Sequence, residues 1–178
     1  MTGIRDLKDK TGQRSQVKEY VVHENYEQFV SSDIAMVFID PPLKLDGERS
    51  ERLLFNDSSI VDGDQEVSLT GWGSVHHFGS TPLARFPTVL QRLPYMTMTN
   101  ENCKKRMRGV SDTEICALDR FGKGACNGDS GGPLVMRDGE QIKQVGIVSY
   151  GTAMCASNNP DVYTRVSMFI DWIQNHST

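Results

Sequence analysis

Residues 126–135 read Cys-Asn-Gly-Asp-Ser-Gly-Gly-Pro-Leu-Val, and this stretch decides how the rest of the chain is interpreted. Its glycines, Gly128, Gly131 and Gly132, surround Ser130. Glycine has no side chain, so it permits a tight bend in which other atoms approach the backbone N–H groups closely. A serine becomes a nucleophile when a base removes its proton, and converging N–H groups stabilise the oxyanion that then forms. A glycine-rich surface turn with a solvated serine has the same composition.

The overall composition is that of an ordinary globular protein. The 178 residues are enough for one domain, or for two half-domains that share a core. A net charge of −4 argues against a nucleic-acid binder, because such proteins usually carry a basic excess. No apolar run approaches the roughly 18 residues that span a bilayer, and residues 1–14 hold no apolar segment of the kind that a secretory signal needs.

Short segments rich in β-branched and aromatic residues alternate with turn signals along the chain. A short helix is predicted over Asn100–Met107, with Thr99 or Asn100 as its cap, and Ser167 is predicted to cap a last helix. The pattern as a whole predicts an all-β barrel or sandwich that ends in a helix. We predict strands over residues 16–23, 34–39, 67–70, 89–98, 144–151 and 161–166.

The chain contains four cysteines, Cys103, Cys116, Cys126 and Cys155. They form no C-x-x-C pair and have no histidine at zinc-finger spacing, so a structural metal site is disfavoured. An even number suits two disulfides, for which three connectivities are possible. Disulfides imply an oxidising compartment, and that conflicts with the lack of a visible signal. Either the thiols are free in a cytosolic chain, or the chain lacks its true N-terminus.

Further segments stand in a fixed order around the serine motif. Asp33 lies in Ser-Asp-Ile-Ala-Met before an apolar run, 97 positions ahead of Ser130. The other segments are Gly71-Trp72-Gly73, residues 147–151 (Ile-Val-Ser-Tyr-Gly) and residues 162–166 (Val-Tyr-Thr-Arg-Val). Together with residues 126–135 they resemble the trypsin/chymotrypsin family of serine endopeptidases over residues 17–176, in which the corresponding aspartate–serine spacing is about 93.

This resemblance implies roles for the residues of the motif. Ser130 would be the nucleophile, Asp33 the acid of the catalytic triad, and the N–H groups of Gly128 and Ser130 the oxyanion hole. The expected activity is hydrolysis of polypeptides through an acyl-enzyme, with no cofactor and no metal. Protein protease inhibitors are expected partners, nucleic acid and membrane are not, and the complete protein is expected to be a monomer outside the cell.

The resemblance also implies a fold and a disulfide pairing. The family fold has two antiparallel β-barrels, so we expect a chymotrypsin-like double barrel with the first barrel incomplete, plus a C-terminal helix. Residues 1–55 would be the remnant of the first barrel that carries the triad aspartate, and residues 56–178 the second barrel. The family pairing joins Cys103 to Cys116 and Cys126 to Cys155.

One essential part of the family's machinery is missing from the sequence. The general-base histidine lies about 45 residues before the triad aspartate, which here falls before residue 1. The histidines present, His23, His76, His77 and His176, are predicted as surface polar residues. The chain is therefore expected to be an N-terminally truncated protease, inactive by itself. The alternative is a non-catalytic homologue that acts as a binding or regulatory protein.

A second expected loss concerns Asp129, the residue of the zymogen switch. In active family members a newly released N-terminal amine pairs with this aspartate, and this chain has no such start. We expect the carboxylate to lack a partner and the oxyanion hole to be poorly formed, because a buried unpaired carboxylate is costly.

The substrate pocket is expected to have an unusual charge arrangement. Gly124 occupies the pocket floor beside Ala125, while Asp161 lies where many relatives have a lining glycine. We therefore expect a chymotrypsin-like or broad preference at P1, the substrate residue before the cleaved bond, with some acceptance of basic side chains. Alternatively, Asp161 is solvated or hydrogen-bonded and selects nothing. The predicted substrate-binding residues are Gly124, Ala125, Asn127, Ser149, Tyr150, Gly151 and Asp161.

Overall fold

The computed structural model describes residues 1–28, 31–47, 50, 53, 61–76 and 84–177. The strands are β1 Gln16–Val22, β2 Ala35–Asp40, β3 Glu66–Gly71, β4 Gln91–Met98, β5 Glu114–Leu118, β6 Pro133–Asp138, β7 Gln141–Tyr150 and β8 Asp161–Arg165. The helices are α1 Asn100–Lys104 and α2 Ile170–Asn175, the latter preceded by a 3₁₀ turn over Val166–Met168. In the described part of the chain, no helix has the length and apolar character to cross a bilayer.

Six of the strands close into an antiparallel barrel in the order β3-β4-β5-β8-β7-β6. The barrel closes where β3 pairs with β6, with Leu69 opposite Leu134. Alternate residues of each strand point inward, as the period of two in a strand requires. They form one apolar core of Val61, Val67, Leu69, Tyr95, Ile115, Ala117, Leu134, Val148 and Tyr163.

Among the described residues, the remaining strands, β1 and β2, pair only with each other and form a two-stranded ribbon. Ile34, directly before β2, is buried with Phe169 and Trp172, so the ribbon packs against the C-terminal helix. Its other side is open to solvent: Tyr20 is 68% exposed and its cross-strand neighbour Val37 is 53% exposed. The architecture confirms the predicted all-β fold, with one closed barrel, a smaller sheet and a short C-terminal helix. The boundary between two units at residue 55 stays a prediction.

Two strands were not predicted from the sequence. β5 carries Glu114, and its Cys116 and Ala117 give a weak strand signal, yet its first four residues are all buried. β6 begins at Pro133, directly after the serine motif, where the glycines indicate a loop. Tertiary pairing on both sides overrides these weak local preferences.

The predicted helix limits are also corrected. Thr99 caps α1, since its hydroxyl accepts the N–H of Asn102, but the helix ends at Lys104 rather than Met107. Ser167 does not cap the last helix, because it lies within the 3₁₀ turn and α2 starts after Phe169 without a side-chain cap.

The disulfides join Cys103 to Cys116 and Cys126 to Cys155, which confirms the pairing that the family resemblance implied. The first disulfide links α1 to β5. The second links the loop that carries Ser130 to the segment after Gly151. They close loops of 13 and 29 residues. In the chain-entropy description such loops stabilise the folded state by about 3 and 4 kcal/mol.

We expect Leu134→Ala to lower the free energy of unfolding by about 2–5 kcal/mol, because it opens a cavity at the centre of the barrel. Leu134 has no exposed surface. Met96→Ala on β4 is the matched control, since Met96 is 43% exposed, and it should cost less than about 1 kcal/mol. Urea unfolding followed by tryptophan fluorescence measures both values. Equal losses for the two variants would contradict the position of the core.

Candidate active site

Hydrogen bonds to β7 and within the bend fix the loop that carries Ser130. The N–H of Gly131 donates to Val148 O and the N–H of Val148 donates to Gly132 O, both at 2.9 Å. Gly132 N donates to Asp129 O at 2.8 Å, and a Cβ on Gly132 would lie 2.7 Å from that oxygen. Only glycine fits there, so the bend depends on the sequence motif. It leaves Ser130 exposed to solvent.

The N–H groups of the bend divide into two sets. Those of Asp129, Gly131 and Gly132 donate to backbone oxygens within the protein. Those of Gly128 and Ser130, predicted for the oxyanion hole, have no acceptor among the described residues. Gly128 has a φ of +95°, a conformation that favours glycine. The pair is therefore free to donate to an external oxygen.

Asp33 is held beside the serine by hydrogen bonds from the barrel. The Ser149 hydroxyl donates to Asp33 Oδ2 at 2.6 Å, and the Thr164 hydroxyl donates to Asp33 O at 2.7 Å. Asp33 and Ser130 line one cavity of about 720 Å³, together with apolar side chains that include Met36. The fold thus brings together two predicted residues that are far apart in sequence. The anchoring role of Ser149 was missed, because it was predicted only as part of the substrate-binding edge.

No histidine in the described ranges lines this cavity. His23 packs on Trp172 with ring centroids 5.1 Å apart, and only 10% of its side chain is exposed. Its predicted surface position is therefore wrong, since it belongs to the cluster beneath the ribbon. His176 lies against the same tryptophan at 4.6 Å. His76 lines a separate cavity with Asp129, and His77 lies outside the described residues.

Asp129 has partners, contrary to the expectation from the sequence. Its Oδ1 accepts the N–H of Gly73 at 2.9 Å, and its Oδ2 accepts the N–H of Cys126 at 3.0 Å. A Cβ on Gly73 would lie 2.2 Å from Oδ2, and one on Gly71 would lie 1.9 Å from Oδ1. The Gly71-Trp72-Gly73 motif therefore makes room for this carboxylate. Asp129 also lines a cavity of about 280 Å³ on the side away from Ser130.

A second cleft, of about 440 Å³, opens next to Ser130. Two of its walls are held together by the Cys126–Cys155 disulfide, and Asp161 lies at its inner end. The structure thus brings six of the seven predicted substrate-binding residues together around one cleft, whereas Gly124 lies behind Asp161 and lines the cavity of about 280 Å³ instead. The predicted residues that line it are Ala125, Asn127, Ser149, Tyr150, Gly151 and Asp161.

Asp161 is buried, with 9% of its surface exposed, so it is not a solvated residue. Its Oδ2 accepts the Tyr95 hydroxyl at 2.6 Å and the N–H of Ala125 at 2.7 Å. Burial, reinforced by the charge of Asp129, raises the pKa of Asp161 to about 6, although these two hydrogen bonds oppose the shift. The carboxylate therefore changes charge just below neutral pH.

Glycines on both sides leave space for this carboxylate. A Cβ on Gly151 would lie 2.9 Å from Asp161 Oδ1, and a Cβ on Gly124 would lie 3.1 Å from Oδ2. Tyr95, which donates to Asp161, lies 66 positions from it along the sequence, and no local signal in the sequence could have identified it. Across the cleft Tyr150 is half-buried, and burial followed by the charge of Glu114 raises its pKa above the usual range.

Within the described residues, no group of three or more histidine, cysteine, aspartate or glutamate side chains is arranged to hold a metal ion.

Several known proteins are similar to this chain in sequence. The family model described as Trypsin matches residues 1–173. Chymotrypsin-2 from Vespa crabro is 35% identical over 169 residues, which cover 89% of this chain and 68% of that protein. Brachyurin from Leptuca pugilator is 37% identical over 164 residues, covering 91% of this chain and 68% of that protein.

A chymotrypsin from Phaedon cochleariae is 33% identical over 165 residues, covering 90% of this chain and 55% of the relative. The chain thus spans between about half and two thirds of the length of these relatives. The family match extends over both the ribbon and the barrel, and it includes the serine bend, Asp33 and the paired cysteines. The chain belongs to the trypsin/chymotrypsin family of serine proteases.

Proposed function

We propose that this protein supplies the nucleophile, the oxyanion hole and the specificity pocket of a serine endopeptidase that acts through an acyl-enzyme. The observation that carries the proposal is the position of Asp33. A hydroxyl of the barrel holds it in the same cavity as Ser130, 2.6 Å from Ser149 Oγ. A solvated serine in a surface turn would need no such carboxylate beside it.

In this mechanism Ser130 Oγ forms a bond to the carbonyl carbon of the substrate, and its proton passes to a base. The carbonyl oxygen becomes an oxyanion that accepts the free N–H groups of Gly128 and Ser130. The C–N bond then breaks, and the base returns the proton to the leaving amine. A water molecule then attacks the acyl-enzyme through the same steps, which releases the carboxylic acid product and frees Ser130. Asp33 orients the base and stabilises its protonated form.

No described residue occupies the position of the base, so we infer that these residues alone react slowly. The same observation favours a second candidate function, a non-catalytic homologue that binds polypeptides or protease inhibitors. The two differ in one property of the cavity. A catalytic site accepts a base between Asp33 and Ser130, whereas a binding protein has no need for a reactive serine.

We expect a fluorophosphonate probe to label Ser130 slowly, and added imidazole to accelerate labelling by about tenfold or more. Imidazole fits the cavity of about 720 Å³ and can take the serine proton as the fluoride leaves. The labelling rate should rise linearly with imidazole concentration. When the pH is varied, the rate should follow the fraction of imidazole that is neutral. Mass spectrometry of the labelled peptide measures the rate.

Ser130→Ala is the control, and it should show no labelling at any imidazole concentration. Brisk labelling without imidazole would show that the chain already supplies a base. Absence of Ser130 labelling at every imidazole concentration would reject the catalytic proposal and favour the non-catalytic homologue.

The pocket supports a chymotrypsin-like or broad P1 preference with some acceptance of basic side chains. Gly151 leaves the cleft open for large groups, while Asp161 places a carboxylate at its inner end. The backbone of Ser149–Gly151 is suited to pair with a substrate as an added strand. The two disulfides indicate an oxidising compartment, and we infer that the protein works outside the cell. We further propose that the complete protein is a monomer.

We expect Gly151→Val to lower the affinity for indole, a neutral aromatic probe of the pocket, by about tenfold or more. The added Cβ would lie 2.9 Å from Asp161 Oδ1 and the methyl groups would fill the mouth of the cleft. Isothermal titration calorimetry measures the affinity. Imidazole-dependent labelling of Ser130 by a small fluorophosphonate is the control and should change less than threefold. Unchanged indole affinity would remove Gly151 from the proposed pocket.

A further inference from the structure

The acid at the inner end of the cleft is held by a residue outside the pocket. Tyr95 lies on β4, is only 3% exposed, and reaches Asp161 from the barrel core. Its hydroxyl is 2.6 Å from Asp161 Oδ2. Burial raises the pKa of Tyr95 far above its usual value of 10, so the hydroxyl keeps its proton and donates to the ionised carboxylate of Asp161.

The hydrogen bonds divide the two oxygens of Asp161 between two functions. Oδ2 is occupied by the Tyr95 hydroxyl and the N–H of Ala125. Oδ1 lies on the side of Gly151, where an added Cβ would approach it to 2.9 Å. One oxygen therefore fixes the carboxylate to the barrel, and the other is presented toward the mouth of the cleft.

We propose that Tyr95 is a positioning residue for specificity: its hydroxyl holds Asp161 so that the second carboxylate oxygen pairs with a cationic P1 side chain. The inference rests on the proposed pocket and adds to it a residue that touches no substrate. Without the Tyr95 hydroxyl, the buried carboxylate loses a donor that favours its charged form. The cleft would then bind cations less well while its apolar walls stay the same.

Three titratable groups face Asp161 from the elements packed around it: Tyr95 on β4, Tyr163 on β8 and Asp129 in the nucleophile loop. Burial raises the pKa of Asp161 to about 6, and Asp129 adds to the shift. Cation binding should therefore be strong above pH 6 and weak below it. Tyr163 is buried in edge contact with Tyr95 at 6.4 Å, but it makes no hydrogen bond to Asp161 among the described residues.

The test compares a cationic and a neutral probe of the same pocket across pH. Benzamidine stays positively charged and indole stays neutral between pH 5 and pH 9. For the unaltered chain, calorimetry should give benzamidine affinity that rises with pH, with a midpoint near 6, and indole affinity that is constant. Asp161→Asn keeps the acceptor for Tyr95, and it should remove the pH dependence and weaken benzamidine about tenfold at pH 8.

Tyr95→Phe should move the benzamidine midpoint upward by about one pH unit, because a hydrogen bond to a charged group is lost. At pH 6.5 the shifted midpoint and the lost orientation together should weaken benzamidine about tenfold, and at pH 8.5, where Asp161 is charged with or without Tyr95, the lost orientation alone should weaken it about threefold. Equal benzamidine affinities at pH 8.5 would contradict the positioning role. Indole affinity should stay within twofold at all pH values. Tyr163→Phe is the matched control: it removes a buried hydroxyl of the same cluster and should leave the midpoint in place.

An unchanged midpoint in Tyr95→Phe, or an equal loss of indole and benzamidine, would overturn the positioning role. If the unaltered chain binds indole but does not bind benzamidine, the positioning role of Tyr95 is overturned and the proposed pocket stands. If neither probe binds, both the pocket and the role of Tyr95 fail. Labelling of Ser130 with imidazole is independent of Tyr95 and tests the catalytic proposal separately.

Discussion

The hydrogen bond between Ser149 and Asp33 connects the ribbon to the barrel at the cavity that Ser130 lines. Asp33 precedes the ribbon strand β2, and Ser149 lies near the end of the barrel strand β7. The bond is 2.6 Å long, and a second one from Thr164 holds the backbone of the same aspartate. The apolar cluster around Ile34 and Trp172 lies beside it. Without this junction, Asp33 would not share a cavity with Ser130.

Two carboxylates shape the rest of the site, Asp129, which is half-buried, and Asp161, which is buried. Asp129 lies in the loop that carries Ser130 and accepts two backbone N–H groups, and Asp161 lies at the inner end of the cleft and accepts one together with the Tyr95 hydroxyl, so both are compensated for lost water. Glycines surround both of them, because a side chain at Gly73 or Gly151 would meet a carboxylate oxygen. Since the charges are alike, Asp129 disfavours ionisation of Asp161 and contributes to its raised pKa.

The parts of the structure that were predictable from sequence are those in which the signal is local. The glycines around Ser130 indicate the bend by themselves, and β-branched runs indicate β1, β2, β7 and β8. The disulfide pairing came from resemblance, since four cysteines alone allow three pairings. β5 was missed because Glu114 and Ala117 are poor strand formers, and only pairing with β4 and β8 makes the segment extended.

Local sequence patterns could not predict the contacts between residues that lie far apart along the chain. Tyr95 and Asp161 are 66 positions apart, and Asp33 and Ser149 are 116 apart. The burial of His23 depends on Trp172, at the opposite end of the chain. For Asp129, the sequence did not reveal its two backbone donors, the N–H groups of Gly73 and Cys126.

The solvent-facing side of the β1–β2 ribbon has a practical consequence for handling the protein. Val17, Tyr20 and Val37 are each more than half exposed there, on a two-stranded sheet whose outer edges pair with no other strand in the described part of the chain. Such a surface adheres to copies of itself, because bare strand margins and apolar side chains both favour aggregation. Solubility should therefore decline steeply with protein concentration, and mild detergent or arginine should counteract the loss.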